Sequence, residues 1–262
     1  MNIICCIKQV PSTETKIRIN PATGLVDTSE VEWVINPYDE YALEMGLRIK
    51  EALGKGKITA ISLGPERTKM ALRTALAMGV DEAVQVWDNA FEGLDGLSLG
   101  RLLAAAIKKL DFNLVLCGKQ AIDDDMALVP QAIAHFLGIG HCAVVPEVEL
   151  TRLEQNEIVC HREVEGATEV VYAQLPCLIT VQKGKFAPRY PTLKLMMAAK
   201  RKEISVWDMA ALGLEPAQLT KRVVCLGHRL PPERKPGRVL EGEPAQVVPE
   251  LVRLLREEAK VI

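Results

Sequence analysis

The sequence predicts an α/β fold with a doubly wound, mainly parallel sheet, an antiparallel β-hairpin region and an extended C-terminal arm. Up to about residue 138, short apolar runs of strand length alternate with amphipathic runs of helix length, which indicates parallel strands joined by crossover helices. Strand-like runs then follow one another closely as far as residue 182, which indicates hairpins. Beyond residue 204 the chain is rich in proline and charge. We therefore expect an α/β domain over residues 1–204 and an arm over residues 205–262.

The first half is predicted to hold strands with helices between them. The predicted strands are short runs with few polar residues: NIICCIK (2–8), KITAISLG (57–64), AVQVW (83–87) and FNLVLCG (112–118). The predicted helices lie over residues 38–53, 65–79, 97–110 and 126–138. Asn36 and Pro37 supply an N-cap residue and a helix-start proline for the first helix. Pro130 lies in the last helix, which can accept it only within the first turn.

The second half follows a different pattern. Its strand-like runs are predicted to pair as antiparallel hairpins, over residues 143–150, 157–164, 168–175 and 177–182. A proline-punctuated loop and a basic helix follow over residues 183–204. The tail contains RLPPERKPGR (229–238), which has too much proline and charge for a core, and it ends in an amphipathic helix over 245–262. An arm of this kind often lies across another subunit.

The composition argues against several classes of protein. A net charge of -2, a pI of about 6.2 and 4% aromatic residues argue against nucleic-acid binding, which needs a basic field or exposed aromatic rings. The seven cysteines are odd in number and form no CxxC pair, so we expect reduced thiols in a cytoplasmic protein without a metal site. No apolar run is long enough to span a membrane, and residues 2–8 are predicted to form a buried strand rather than a signal peptide.

Ligands of parallel sheets bind beyond the carboxyl ends of the strands. The loops to consider are those after residues 8, 35, 63 and 118. Neither a Walker sequence nor a GxGxxG sequence follows any of the strands, so no standard phosphate loop is present.

The stretch GKQAIDDD (118–125) is the strongest candidate site, because a buried strand ends in Gly118 and three carboxylates precede a helix. These carboxylates, Asp123, Asp124 and Asp125, have two interpretations. In the first, one of them caps the helix while the others complement its dipole. In the second, the glycine and loop amides receive a nucleotide phosphate, and the carboxylates point away, towards a ribose hydroxyl. The residues alone leave both interpretations open.

With its surroundings, GKQAIDDD resembles the signature loop of the electron transfer flavoprotein beta subunit family. Further blocks resemble the same family in the same order: IKQVP (7–11) with KIRIN (16–20), VINPYDEYALE (34–44), RTALAMGVD (73–81), and REVEGATEVVYAQLPCLITV with APRYPTLKLMMAAKRK (162–202). The resemblance implies a nucleotide-binding domain of the adenine nucleotide alpha hydrolase-like type and an arm that wraps an alpha subunit. The alpha subunit carries a redox-active FAD. The beta core is implied to hold AMP, or a second FAD in electron-bifurcating members.

The resemblance also implies where the nucleotide lies. The implied contacts are Cys6, Asn36, Pro37, Tyr38, Asp39, Leu63, Gly118, Lys119, Gln120, Ala121, Ile122, Asp123, Asp124, Asp125, Met126, Ala127, Leu128 and Val129, with no catalytic residue among them. The chain departs from the family at Met126, Leu128 and Pro130, where a small polar residue, a glutamine and a glycine are common. Two side-chain donors and one backbone N–H are therefore lost. Residues 96–100 also lack the threonines of bifurcating members, which favours AMP over a second FAD.

A docking segment for flavin dehydrogenases, such as acyl-CoA dehydrogenases, is implied at residues 188–202. Its named members are Arg189, Tyr190, Leu193, Lys200, Arg201 and Lys202. Leu193 would be the apolar anchor and the last three the basic rim, although an ordinary solvated helix face also explains that run of charge. Glu163 is implied to pair with the alpha subunit near its flavin.

Residues and resemblance together predict an electron-carrier subunit with no independent catalysis. Electrons from a flavin dehydrogenase would reach FAD held mainly by the alpha subunit and pass to an acceptor. Two alternatives stay open: a subunit of an electron-bifurcating NADH-dependent flavoprotein with two FADs, and a stand-alone nucleotide sensor. The number of FADs per heterodimer distinguishes the first alternative, and a stable chain without any alpha subunit would indicate the second.

Overall fold

The fold is given by a computed structural model, which describes residues 1–233 and 236–262. The strands are β1 (Asn2–Cys6), β2 (Gln9–Pro11), β3 (Trp33–Ile35), β4 (Lys57–Leu63), β5 (Glu82–Val86), β6 (Leu114–Gly118), β7 (Gly140–Val145), β8 (Glu147–Glu149), β9 (Glu157–Val164), β10 (Ala167–Gln174), β11 (Cys177–Val181) and β12 (Ile204–Trp207). The α-helices are α1 (Pro37–Leu53), α2 (Lys69–Met78), α3 (Gly96–Ile107), α4 (Val129–Leu137), α5 (Leu193–Arg201), α6 (Met209–Leu212) and α7 (Pro244–Glu257). The chain divides into two compact units. The first is Met1–Ile17 with Asp27–Leu226, and the second is Arg18–Val26 with Gly227–Ile262.

The first unit is built on a seven-stranded sheet of order β12-β5-β4-β1-β6-β11-β7. All neighbouring pairs in this sheet are parallel. After β1 the chain adds β4 and β5 on one side, and it then returns to place β6 on the other side. The order therefore reverses between β1 and β6, which is where open parallel sheets bind ligands. The predicted doubly wound α/β fold is confirmed.

Apolar side chains cover both faces of this sheet. In β1, Ile3 and Cys5 belong to one apolar layer and Ile4 and Cys6 to the other, because successive side chains of a strand point to opposite faces. Helices α1 and α2 cover the first face, and α3 and α4 cover the second.

The region of predicted hairpins is only partly antiparallel. Strands β8, β9 and β10 form a three-stranded antiparallel sheet. The hairpin prediction was wrong for β11 and β7, because both are parallel strands of the main sheet. Strand β7 overlaps the start of the predicted strand over 143–150. Every residue of β11 is buried, as is typical of a strand covered on both faces.

The first unit continues past residue 204, since β12 pairs with β5 at the edge of the main sheet and α6 follows it. The second unit contains an antiparallel bridge between Ile19 and Val26 and the helix α7, none of whose residues is buried. Whether residues 205–262 act as an arm stays a prediction. Among the described residues, no helix combines the length and the apolar character that a membrane crossing requires.

Candidate functional site

The loops singled out in the sequence meet at one edge of the main sheet. Cys6, at the end of β1, lies opposite Cys117 of β6 and Ile61 of β4 in the strand registers. Because these neighbouring strands are parallel, the segments beyond Cys6, Leu63 and Gly118 leave the sheet on the same side. The edge coincides with the point where the strand order reverses.

Asp39 ties three of these segments together. It lies in the first turn of α1 and is only 5% exposed. One carboxylate oxygen accepts the backbone N–H of Gly118 at 2.8 Å, and the other accepts the backbone N–H of Lys8 at 2.7 Å. Burial raises the pKa of Asp39 to about 7, although the two amide hydrogen bonds act in the opposite direction. The carboxyl group therefore organises the loops, because both of its oxygens are already engaged by the chain.

Asn36 has a similar role. It occupies the N-cap position of α1, as predicted, but its side chain makes no capping hydrogen bond to that helix. Instead its amide nitrogen donates to the carbonyl of Gln120 at 2.9 Å, and its amide oxygen accepts the N–H of Ile122 at 3.2 Å. Asn36 is buried, so these bonds hold the loop after β6 from inside the protein.

Gly118 permits this close approach. A Cβ atom at this position would lie 2.4 Å from a carboxylate oxygen of Asp39, 2.8 Å from its backbone nitrogen and 2.7 Å from Cβ of Tyr38. These distances are shorter than any real Cβ contact, so only glycine fits between β6 and the start of α1.

The three consecutive aspartates are bound within the loop and do not cap α4. The ammonium of Lys8 lies 2.7 Å from Asp123 and 3.0 Å from Asp124, and Gln120 donates to Asp125 at 2.6 Å. The N-cap position of α4 is Leu128, so the capping interpretation was wrong. Burial lowers the pKa of Lys8, but Asp123 and Asp124 outweigh burial and raise it. The sequence interpretation overlooked Lys8, although it is the last residue of the predicted strand 2–8.

Several polar groups at the start of α4 have no hydrogen-bond partner. In the described chain, the backbone N–H groups of Ala127, Leu128 and Val129 have no hydrogen-bond acceptor. The side-chain oxygen of Gln131 is buried without a partner. Pro130 lies in the first turn, as predicted, and offers no N–H. Free amides at a helix N-terminus are suited to an anion such as a phosphate.

Met126 and Leu128 bring apolar side chains to the same place. A Cβ atom at Gly96 would lie 2.9 Å from the sulfur of Met126 and 3.2 Å from a methyl group of Leu128. The two side chains therefore pack over the first residue of α3, and both remain partly exposed. Tyr38 lies under Lys119, whose ammonium is 5.0 Å from the ring centre.

The residues of the predicted docking segment lie elsewhere, on and beside α5. Tyr190 is 94% exposed and Leu193 is 74% exposed, while Lys200 and Arg201 are also exposed. Arg189 and Lys202 differ, because their charged groups bind other parts of the first unit. The guanidinium of Arg189 binds Glu44 and Glu51, and the ammonium of Lys202 binds the carbonyls of Val80 and Asp81. Glu163 is exposed on β9, where its carboxylate accepts a hydrogen bond from Gln182.

The sequence interpretation missed the partners of Arg189 and Lys202. Glu44 and Arg48 form an i, i+4 ion pair on α1, and that spacing was readable from the sequence. Nothing local in the sequence links residue 44 to residue 189, since this contact depends on how the chain folds.

Comparison with known proteins gives consistent matches. Residues 23–212 match the family model described as the electron transfer flavoprotein domain. The chain is 38% identical to the electron transfer flavoprotein subunit beta of Bacillus subtilis (strain 168) over 263 residues, which cover 100% of both chains. It is 39% identical to the subunit of the same name from Megasphaera elsdenii over 253 residues, 93% of this chain and 92% of that one. It is also 39% identical, over 217 residues, to the caffeyl-CoA reductase-Etf complex subunit CarD of Acetobacterium woodii, covering 82% of this chain and 81% of that one.

Proposed function

This chain belongs to the electron transfer flavoprotein family, and we propose that it is the beta subunit of a heterodimer whose alpha subunit holds a redox-active FAD. Its role is in electron transport. In the proposed cycle, a flavin dehydrogenase, such as an acyl-CoA dehydrogenase, gives electrons to the heterodimer, which delivers them to an acceptor. The chain has no independent catalysis, so it contributes docking, orientation and the electrostatic surroundings of the cofactor.

The exposed apolar surface of α5 carries this proposal. Leu193, Met196 and Met197 are large apolar side chains that remain exposed on the helix, beside Tyr190. Lys200 and Arg201 follow them at the C-terminal end. An apolar anchor beside charges that steer association suits a contact that must form and dissociate in each cycle.

The edge of the sheet between β1 and β6 is the proposed nucleotide site. The free N–H groups of Ala127, Leu128 and Val129 support binding of AMP there. Asn36 and Asp39 fix the loop that carries these groups. AMP would brace the fold of this edge and take no part in the redox chemistry, which FAD supplies when it is bound to the heterodimer.

Two further surfaces are assigned to the alpha subunit. Glu163 is exposed on the antiparallel sheet and has a free oxygen for a cation of the alpha subunit, in addition to its bond with Gln182. Helix α7 presents Val248, Leu251 and Val252 at its surface and is the part of residues 205–262 proposed to wrap the alpha subunit. We expect the heterodimer to work in the cytoplasm, since the cysteines are free thiols.

The proposal is tested by co-expressing the chain with its alpha subunit and assaying reduction of the heterodimer by an acyl-CoA dehydrogenase. The expected composition is one FAD and one AMP per heterodimer. Leu193→Ala should raise the KM for the dehydrogenase, because truncating a central apolar anchor weakens the contact. Leu25→Ala, at an exposed leucine of the second unit, is the control. Tight stoichiometric FAD on the isolated chain, with substrate turnover, would contradict the carrier role.

A second candidate is a subunit of an electron-bifurcating NADH-dependent flavoprotein. The similarity to a subunit of a caffeyl-CoA reductase-Etf complex supports this second candidate, because that relative is named as part of a reductase complex. It requires two FADs and no AMP, so the nucleotides released on denaturing the heterodimer separate the two functions. A stand-alone nucleotide sensor instead requires a chain that stays a monomer or homodimer in size-exclusion chromatography when the alpha subunit is present.

A further inference from the structure

Helix α5 packs against α2, and polar contacts hold both of its ends. Ala199 is its single buried residue. Its large apolar side chains remain partly or largely exposed, so burial alone does not fix its orientation. Polar contacts at the two ends therefore help to determine which way Leu193 points.

The first attachment precedes the helix and is made by Arg189. The Nε of Arg189 lies 2.7 Å from one oxygen of Glu44, and an Nη lies 3.2 Å from the other. The same guanidinium binds both oxygens of Glu51, at 2.5 and 3.1 Å. The side chain of Glu44 is only 4% exposed and also binds Arg48 at 2.7 Å. Burial disfavours the charged form of Glu44, but Arg189 and Arg48 outweigh it and hold the pKa below its ordinary value.

The two carboxylates that bind Arg189 also line a cavity. A cavity of about 350 Å³ lies between α1, the residues around β8 and the loop over 181–186. Its lining includes Glu44, Arg48 and Phe186, and the guanidinium of Arg48 stacks 3.8 Å from the ring centre of Phe186. Because apolar packing is incomplete here, the ion pairs of Arg189 and the stacking of Arg48 on Phe186 link this part of the chain to α1.

The second attachment is a reciprocal pair of contacts at the C-terminal end of α5. Arg73 of α2 donates to the carbonyl of Ala199 at 2.7 Å and to the carbonyl of Lys202. Lys202 in turn donates to the carbonyls of Val80 and Asp81, just beyond α2, at 2.8 and 3.0 Å. Carbonyls at the end of a helix lack partners within the helix, so each cation satisfies groups that would otherwise be unpaired.

We propose that Arg189 with Glu44 and Glu51, and Arg73 with Lys202, are positioning residues that hold α5 in one orientation for docking. The inference rests on the proposed function of α5. Two residues that the family resemblance assigns to partner contact, Arg189 and Lys202, thus act through the helix they fix. A helix ordered before docking loses less conformational entropy when a partner binds, so these contacts raise the affinity for the dehydrogenase without touching it.

The test uses the intact heterodimer and the variant Arg189→Gln, which removes the guanidinium and keeps most of the side-chain length. Amide hydrogen exchange over residues 190–198 should become at least about tenfold faster, because the segment is released from α1. The KM for a substrate-reduced acyl-CoA dehydrogenase should rise by about tenfold while kcat stays close to that of the wild type. Lys57→Gln, which breaks the exposed pair with Glu82, is the matched control and should change neither quantity.

Three further variants keep the inference separable from the proposed function. Arg189→Lys should bind the dehydrogenase more tightly than Arg189→Gln and less tightly than the wild type. Lysine keeps the positive charge but lacks the planar guanidinium that binds two carboxylates at once. Glu51→Gln removes only the more exposed contact of Arg189, so it replaces Arg189→Gln if that variant does not fold. Leu193→Ala combined with Arg189→Gln should raise the KM by less than the product of the single effects, because both act through one docking contact.

If Leu193→Ala alone leaves the KM unchanged, the docking function of α5 fails. If Leu193→Ala raises the KM but Arg189→Gln changes neither exchange nor KM, the positioning role is overturned.

Discussion

The carboxylate of Asp39 accepts the backbone N–H of Gly118 at 2.8 Å, and this bond joins the start of α1 to the end of β6. The second oxygen of Asp39 accepts the N–H of Lys8 just after β1, at 2.7 Å. One buried side chain thus holds together the two strands between which the sheet order reverses. The loops of the proposed nucleotide site depend on this arrangement, because each starts from one of these ends.

Below about pH 5, replacing Asp39 with alanine should destabilise the protein by about 2–4 kcal/mol, because it leaves the N–H groups of Gly118 and Lys8 without acceptors. Urea denaturation of the purified chain, followed by tryptophan fluorescence, measures the change. Asp111→Ala, at an exposed aspartate, is the control. An unchanged unfolding midpoint in Asp39→Ala would show that water or another group replaces the carboxylate.

Asp39 should also make stability depend on pH. Burial raises the pKa of Asp39 to about 7, against roughly 3.9 in the unfolded chain. Between these values the native state binds more protons than the unfolded state, so the contribution of Asp39 is fully present below about pH 4 and is lost as the pH rises through about 7. Within this window the free energy of unfolding of the wild type should fall, relative to Asp39→Asn, by up to about 1.4 kcal/mol per pH unit. Denaturation at pH 5, 6 and 7 checks the sign. If the wild type instead became more stable relative to Asp39→Asn as the pH rises, the raised pKa would be contradicted.

Gly118→Ala should destabilise the fold by about 1–3 kcal/mol and weaken AMP binding, because the new methyl group would press on the carboxylate and backbone of Asp39. The control is Gly140→Ala in β7, since a Cβ atom there meets nothing within 4 Å. Thermal denaturation and AMP titration of both variants measure the two effects. Equal behaviour of the two alanine variants would mean that β6 and α1 separate more easily than this packing indicates.

The architecture was predictable where side-chain patterns are local. Alternating strands and helices predicted the doubly wound sheet. The helix predicted over 126–138 could accept Pro130 only in its first turn, and α4 starts at Val129, which places Pro130 there. The pairing of β11 was not predictable in this way, because CLITV shows only that a strand is buried, and neighbours are chosen by the rest of the sheet. Because β11 closely follows β10 in the sequence, a hairpin between them was predicted. In the structure β11 lies in the main sheet, between β6 and β7.

The site was predicted less completely than the fold. The sequence and the resemblance indicated the loop that begins at Gly118 and named Asn36 and Asp39 among the ligand contacts, which stays a prediction. The structure shows their polar groups bonded to the loop itself. Contacts between residues far apart in the chain, such as Arg189 with Glu44, have no local signature, so only the folded chain reveals them.

Lys8→Met should weaken AMP binding by up to about fivefold, the range expected for loss of a partly exposed ion pair. The substitution leaves Asp123 and Asp124 without their cation, and their charge then acts against a nearby phosphate. The effect should shrink at high salt because exposed charges are screened. Isothermal titration at low and high ionic strength measures it, with Lys57→Met as the control. Unchanged affinity at low salt would place the phosphate away from this loop.

Leu128→Gln should tighten AMP binding by about two- to tenfold, the effect of one added hydrogen bond. Leu128 occupies the N-cap position of α4, next to the free N–H groups of Ala127 and Val129, and its own side chain offers no polar group. A glutamine amide at this position could donate to the ligand that those groups bind. The same titration measures the gain, and Met70→Gln, at an exposed methionine of α2, controls for added surface polarity. Weaker binding in Leu128→Gln would mean that the packing of Leu128 over Gly96 matters more to the site than a further donor.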